Sequence, residues 1–234
     1  KELIEAAAPV LAAADPLDLI RSELSRLGYG GDLKPALISY LAFTTRLLKM
    51  RMGTMPAHLL LIGPPSIGKS FTVQMTLQLF PLEAVHMIDA GSSRVLIYDT
   101  ADLQHRAVLF SESDSLPAGE DNPAACAVRN LLQDHRLHYQ VVVRDPESGE
   151  PAVHEISKPG PTVLITTSTR FLGGQLGSRV FTLDVPNDAD RLRDALKAQA
   201  KLEITPPAEP DTSLIAFQAV LQRLAPIDGM VPFA

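Results

Sequence analysis

Residues 63–70 read Gly63-Pro64-Pro65-Ser66-Ile67-Gly68-Lys69-Ser70, and this octapeptide restricts the fold more than any other stretch of the chain. It fits G-x-x-x-x-G-K-[ST] at every fixed position. An apolar run of strand length, His58 to Ile62, precedes it, and a helical stretch from Lys69 to Phe80, closed by Pro81, follows. That context separates a phosphate cradle from a Gly-Pro turn with an incidental lysine. Backbone N–H groups must converge on phosphate oxygens, so glycine is needed where a Cβ would intrude. The N-terminus of the following helix adds a field favourable to anions. Lys69 would bring a point charge to the β- and γ-phosphates, and the Ser70 hydroxyl would ligate Mg²⁺. The segment expected to hold the nucleotide runs from Gly63 through position 71, which is Phe71, with ATP and Mg²⁺ as cofactors.

Composition bounds the rest. The chain has 234 residues, 46% apolar and 21% charged, enough for one α/β domain with a buried core and unlike a disordered chain. Aromatics are 5% with no Trp, which offers no obvious stacking surface for single strands. The net charge of −6 excludes a basic coat and leaves only a local basic groove for nucleic acid. One cysteine, Cys126, excludes an internal disulfide framework and a zinc cluster, and fits a reducing, cytoplasmic setting. No apolar run approaches 18 residues, so no membrane partner is expected. The Ala6–Ala14 stretch is too short to span, and its flanks (Glu2 and Glu5 before, Asp15 after) are wrong for a secretory signal. The chain opens on Lys1 and closes on Met230-Val231-Pro232-Phe233-Ala234, so both ends read as cut from a longer protein.

The pattern predicts helices over 15–52, with Asp15 as N-cap, Pro16 at N1 and Asp32 recapping a second helix after Gly28-Tyr29-Gly30-Gly31. Further strands are expected at Val85–Ile88, Ala107–Phe110, Thr162–Thr166 and Val180–Val185, and helices at Pro123–His135, Asp188–Lys201 and Ser213–Leu224. Alternation at Leu137, Tyr139, Val141 and Val143, a turn at Asp145-Pro146-Glu147-Ser148-Gly149, and Val153 and Ile156 beyond it predict a hairpin over 137–156. Thr205-Pro206-Pro207-Ala208-Glu209-Pro210 reads as a linker. The fold class is α/β: a three-layer α/β/α arrangement with a mainly parallel sheet. Residues 1–52 form an N-terminal helical segment, 53–187 the core and 188–234 a C-terminal helical segment that is cut short.

A phosphate loop needs a second strand that brings acid to the γ-phosphate. Ala107-Val108-Leu109-Phe110-Ser111-Glu112 ends in a polar pair at a strand's C-terminal edge, where ligands bind in open α/β sheets. Glu112 there would orient or activate the attacking water. Ser111 stands where an acid is usual and would reach the metal through a water; Asp114 could supply the missing charge. The alternative is that Glu112, Asp114, Glu120 and Asp121 are a solvated acidic loop. Thr162 to Thr166 runs into Thr167-Ser168-Thr169-Arg170, a hydroxyl-rich end able to sense the γ-phosphate, although threonines also favour strands for packing alone. Arg179, before the last strand, could stabilise phosphoryl charge or be a surface arginine. His58 and His86 read as strand residues, Cys126 as packed on its helix, and Met50, Met52 and Met55 as core filler.

The order of these elements resembles an AAA+ ATPase over residues 28–185. Gly30 to Leu37 is similar to that family's box before the first strand, which helps hold adenine. Gly63 to Ser70 matches Walker A, and Val108 to Glu112 matches Walker B except at Ser111. Leu164 to Arg170 resembles the sensor-1 strand, which makes Thr169 the sensor ahead of Ser168. Leu176-Gly177-Ser178-Arg179-Val180 resembles the box whose arginine reaches the next subunit's site, so the resemblance implies a homo-oligomeric ring with Arg179 acting in trans. The hairpin lies where members with a pre-sensor-1 hairpin, such as MCM-like and superfamily 3 helicases, carry theirs. Tyr40-Leu41-Ala42, Arg94 to Tyr98, the Tyr139 hairpin, Gly160-Pro161-Thr162 and the closing Val231-Pro232-Phe233-Ala234 resemble helicase-like ATPase regions of primase-associated replication proteins from bacteria, phages and mobile elements.

The resemblance implies ATP hydrolysis that drives helicase-type remodelling of DNA. The alternative is a nucleotide-binding regulatory scaffold with little turnover, favoured by Ser111 and the acidic hairpin tip; a small-molecule kinase is a weaker third reading. The tip lacks the Lys or Arg that grip phosphates, though Arg136, His138 and Arg144 lie on the first arm, and the hairpin could equally be a subunit contact. Arg191 and Arg193 are candidates for a second sensor.

Overall fold

A computed structural model describes residues 1–92, 94–117, 119, 121–144, 149–185, 187, 189–204 and 209–229. The hairpin tip at Asp145–Ser148, Glu120, Asp188, the linker residues Thr205–Ala208 and the closing Met230–Ala234 lie outside these, as does the side chain of Arg191.

Three helices come first: α1 (Glu2–Leu11), α2 (Pro16–Arg26) and α3 (Lys34–Thr44). Asp15 caps α2, its carboxylate accepting from the Leu17 amide at 2.9 Å, with Pro16 at the first helical position. Then follow β1 (Leu59–Ile62), α4 (Lys69–Leu77), β2 (Val85–Ile88), the single turn α5 (Val95–Tyr98), β3 (Arg106–Phe110), α6 (Pro123–Asp134), β4 (Arg136–Arg144) and β5 (Pro151–Pro159). The chain continues through β6 (Thr162–Ser168), α7 (Gly174–Gly177), β7 (Phe181–Asp184), α8 (Ala189–Ile204) and α9 (Thr212–Leu224).

Five strands form one parallel sheet in the order β2-β3-β6-β1-β7, and β4 and β5 pair antiparallel as a separate hairpin. Strand residues alternate between faces. Leu59, Leu61, Ala107, Leu109, Val163 and Ile165 meet α2–α4 on one side, while Leu60, Val108, Phe110 and Leu164 meet α5 and α6 on the other. Registers Ile62↔Ser168 and Phe110↔Thr166 align the C-terminal ends of β1, β6 and β3. The segments after all three strands therefore leave from one sheet edge.

Several expectations change. The helix after the Gly63–Gly68 loop ends at Leu77, and Leu79 and Phe80 turn into the core. The hairpin arms are longer than predicted and start where α6 ends, at His135 with φ +57°. Helix α1 lacks a helical signal in the polar residues around it, but its Ala7 packs with Ala216 and Val220 of α9. Cys126 lies on the solvent side of α6, and Met52 and Met55 are exposed. The packed side of α6 is taken by Ala124, Ala127, Val128 and Leu131, which leaves Cys126 facing outward. No helix among the described residues is long and apolar enough to cross a membrane.

Candidate functional site

The loop between β1 and α4 folds as its glycines require. Gly63 has φ +156°, and a Cβ there would sit 3.1 Å from the Val185 carbonyl oxygen. Gly68 opens α4 in the left-handed region at φ +91°, which glycine adopts at little cost. Lys69, 8% exposed, donates from Nζ to the carbonyls of Gly63 at 2.8 Å and Pro64 at 2.7 Å. Burial pushes its pKa down, because an ammonium loses hydration there.

A cavity of about 420 Å³ opens at this edge of the sheet. Lys69 and Ser70 line it from the loop, Glu112 and Asp114 from the segment after β3, and Ser168 and Thr169 from the end of β6. Four residues singled out from sequence, Lys69, Ser70, Glu112 and Thr169, thus converge from three separate connections. Hydroxyl bonds fix the edge. Ser113 Oγ donates to Ser168 Oγ at 3.0 Å, and Ser168 Oγ also accepts from the Arg170 amide at 3.1 Å. Arg170 in turn stands 3.9 Å from Asp114. The hydroxyl and carboxylate oxygens of Ser70, Glu112 and Asp114 are hard donors of the kind Mg²⁺ takes.

Ser111 is arranged differently. Its Oγ donates to Asp89 Oδ1 at 2.6 Å, its amide donates to the Ile88 carbonyl at 3.2 Å, and its carbonyl accepts from Thr167 Oγ1 at 2.8 Å. It stands beside the cavity rather than in its lining, and its hydroxyl points to the neighbouring strand.

A second cavity, of about 230 Å³, lies on the other flank of the loop; Pro65 and Ser66 line both. Position 71 contributes a ring here, and the hydroxyl of that turn belongs to Thr72. The Phe71 ring stacks with Tyr29 at 5.9 Å between centroids and 13° between planes, and Tyr29 Oη hydrogen-bonds Thr72 Oγ1 at 2.9 Å. Asn187, Leu192 and Ala195 close the far wall. Helix α8 comes this near only because of glycine: a Cβ on Gly30 would lie 2.7 Å from both Ala198 Cβ and the Asp194 carbonyl. In the sequence Gly28-Tyr29-Gly30-Gly31 reads as a helix break, and the resemblance puts only Gly30 onward in an adenine-holding box, leaving Tyr29 without a role. The aromatic between glycines was the available sign of a platform. Asp89 and Asn187 carried no such sign.

Arg179 lines neither cavity. Its Nε donates to Gln133 Oε1 at 2.8 Å and its Nη1 to the Gln175 carbonyl of the same chain. Arg193 pairs with Asp190 on the outer face of α8. At the hairpin root, Tyr139 meets Tyr98 edge-on at 6.4 Å and Lys158 Nζ donates to the Asp99 carbonyl. Higher up, His138 pairs with Glu155 at 3.3 Å, and Val142 and Val153 are exposed. His58 is a core residue: Nε2 donates to the Leu132 carbonyl at 3.2 Å and Nδ1 accepts from the Leu164 amide at 3.1 Å. His86 bonds Asp99 at 2.7 Å. No group of three or more metal-ligating side chains occurs among the described residues.

No protein-family model matches the chain, and no curated protein matches its sequence.

Proposed function

We propose that the chain is an AAA+-like P-loop ATPase core that binds ATP with Mg²⁺ and hydrolyses it, as a helicase-type motor on DNA. The observation that carries this reading is the convergence of Lys69, Ser70, Glu112 and Thr169 on one cavity beside a phosphate loop. In it the triphosphate lies along the Gly63–Ser70 amides, and the base enters the Tyr29–Phe71 cavity on the loop's other flank. Lys69 exchanges its two carbonyl partners for phosphate oxygens, a stronger, charge-assisted pairing. Ser70 would hold the magnesium ion, which when bound neutralises charge on the β- and γ-phosphates. Glu112 orients a water and accepts its proton as the water oxygen bonds to the γ-phosphorus. The bond from that phosphorus to the β–γ bridging oxygen breaks, and the electron pair leaves with ADP. Thr169 hydrogen-bonds the γ-phosphate and is positioned to register its loss.

Arg179 acts in trans in this reading, which requires a ring of copies and release of the arginine from Gln133 and Gln175. Arg136, Arg144 and His138 on the hairpin's first arm supply the DNA contacts. A second reading, a regulatory nucleotide-binding module with little turnover, is favoured by one observation: Ser111 is tied to Asp89 instead of facing the cavity.

Fluorescent-ATP binding and phosphate release test both. Lys69→Ala should lose nucleotide affinity. Glu112→Gln should keep binding and lose phosphate release about 100-fold or more, the usual worth of a general base. Wild-type turnover in Glu112→Gln would refute the role given to Glu112. Stimulation of turnover by DNA separates the motor from the scaffold.

A further inference from the structure

The expected acid pair of this strand end is broken by Ser111, and the structure shows where its replacement stands. Ser111 is held on three sides: its hydroxyl by Asp89, its amide by Ile88 and its carbonyl by Thr167. The hydroxyl's proton is committed to a carboxylate on the neighbouring strand end. The 3₁₀ turn over Ser113–Ser115 folds the segment back, so Asp114 lines the same cavity as Lys69, Ser70 and Glu112. Ser113, between the two acids, spends its hydroxyl on Ser168 and so braces the turn from β6. Two acidic residues thus line the cavity that borders the Gly63–Ser70 loop, spaced by one residue.

Resting on the nucleotide-site reading above, we propose that Glu112 and Asp114 are the site's two working acids. Asp114 provides the negative charge on the cation side that Ser111 lacks, while Ser111–Asp89 is a tie between the ends of β3 and β2. Asp114 would accept hydrogen bonds from the cation's water shell, a positioning role that leaves the proton to Glu112. Arg170, 3.9 Å away, aims that carboxylate and is its only ion-pair partner within 4 Å among the described residues.

Two carboxylates are therefore set against each other, Asp114 and Asp89, and Asn replaces each without changing its shape. The probe is binding of a fluorescent ATP analogue to the full chain, titrated with Mg²⁺. Asp114→Asn should raise the Mg²⁺ concentration at half-saturation about tenfold or more, the usual cost of losing an outer-shell carboxylate. Its binding without Mg²⁺ should stay near wild type. Asp89→Asn should move the Mg²⁺ midpoint less than twofold. Both side chains are exposed, and circular dichroism checks that both variants fold. If Asp89→Asn gives the larger shift, the cation-side charge comes through Ser111 and the assignment is overturned. If Asp114→Asn weakens binding equally with and without Mg²⁺, Asp114 only shapes the cavity, and the proposal fails while the nucleotide site stands. A wild-type chain that binds the analogue under no condition overturns the function itself and this assignment with it.

Discussion

Lys69 and Arg46 are both cations taken out of water with no carboxylate partner among the described residues, yet their surroundings could hardly differ more. Lys69 rests on two backbone carbonyls at 2.7–2.8 Å and borders an open cavity. Arg46 is 0% exposed. Its Nη1 donates to the Phe43 carbonyl at 2.8 Å, its Nη2 reaches Gln218 Oε1 at 3.5 Å, its guanidinium stands 5.2 Å from the Phe80 ring centroid, and its Nε has no partner. Burial pushes the pKa of both down, that of Arg46 to about 10. The difference is what an anion could do. At Lys69 a phosphate can replace the carbonyls. At Arg46 walls of Phe43, Phe80 and Tyr40 leave no approach, so the guanidinium fills the space between α3 and α9 beside Gln218, which itself donates to Tyr40 Oη at 2.7 Å and Thr44 Oγ1 at 3.0 Å. Burial is common to both cations; what separates Lys69 is the open cavity that it borders.

The sharpest way to break this comparison is Arg46→Ala. It leaves a large void and strips acceptors of their donor, so about 3–5 kcal/mol of stability should go. Denaturant unfolding measures it. Arg46→Met, of similar volume, keeps the packing but still leaves the Phe43 carbonyl and Gln218 Oε1 without their donor, so it should cost less than Arg46→Ala, about 1–2 kcal/mol. A full loss in Arg46→Met as well would mean that the charge itself holds the helices together.

Next in size is His58, a buried base that resolves the same conflict by giving up its proton. Its pKa is lowered from 6.5 to about 4, mainly by burial. The unfolded chain therefore binds more protons between those values, and stability is present above pH 6.5 and lost as pH falls to 4. The difference is worth up to about 3 kcal/mol. Unfolding midpoints at pH 7 and pH 4.5 should diverge in wild type and much less in His58→Asn. A wild type whose midpoint rises on acidification would show that His58 is charged in the fold.

Much of this was legible beforehand because local rules coincide with the tertiary outcome. Strand, glycine loop and helix at 58–77 obey turn and period rules within twenty residues, and the alternation of β4 is set by its own sequence. Convergence of Glu112 and Thr169 followed from their places at strand ends once the sheet was parallel. What stayed hidden depends on contacts between distant segments. Nothing in Asp89 announces that β2 flanks β3 and presents a carboxylate to Ser111. Nothing in Cys126 says which side of α6 meets the sheet. Helix α1 is explained by α9, some 200 residues along the chain.

The Tyr29–Phe71 platform gives a smaller effect. Tyr29→Ala removes one wall of the cavity proposed to take the base and the hydroxyl bond to Thr72. Loss of one base–aromatic contact costs about 1–2 kcal/mol. Affinity for ATP should therefore fall about 5- to 30-fold, while affinity for inorganic triphosphate, which has no base, stays level. A matching fall for triphosphate would mean that Tyr29 supports the loop and not the base.

The smallest expected effect returns to the two cations. Lys69→Ala should change unfolding stability by less than about 1 kcal/mol. The ammonium's two hydrogen bonds are offset by the hydration it loses on burial, the same loss that lowers its pKa. Gly63 and Pro64 can turn their freed carbonyls to water, since the loop borders solvent. Arg46 has no such outlet. If Lys69→Ala proved as destabilising as Arg46→Ala, Lys69 would be a structural cation too, and the line drawn between them would disappear. If it unfolds at the wild-type denaturant concentration while its nucleotide affinity collapses, then the fold holds that charge in place without depending on it.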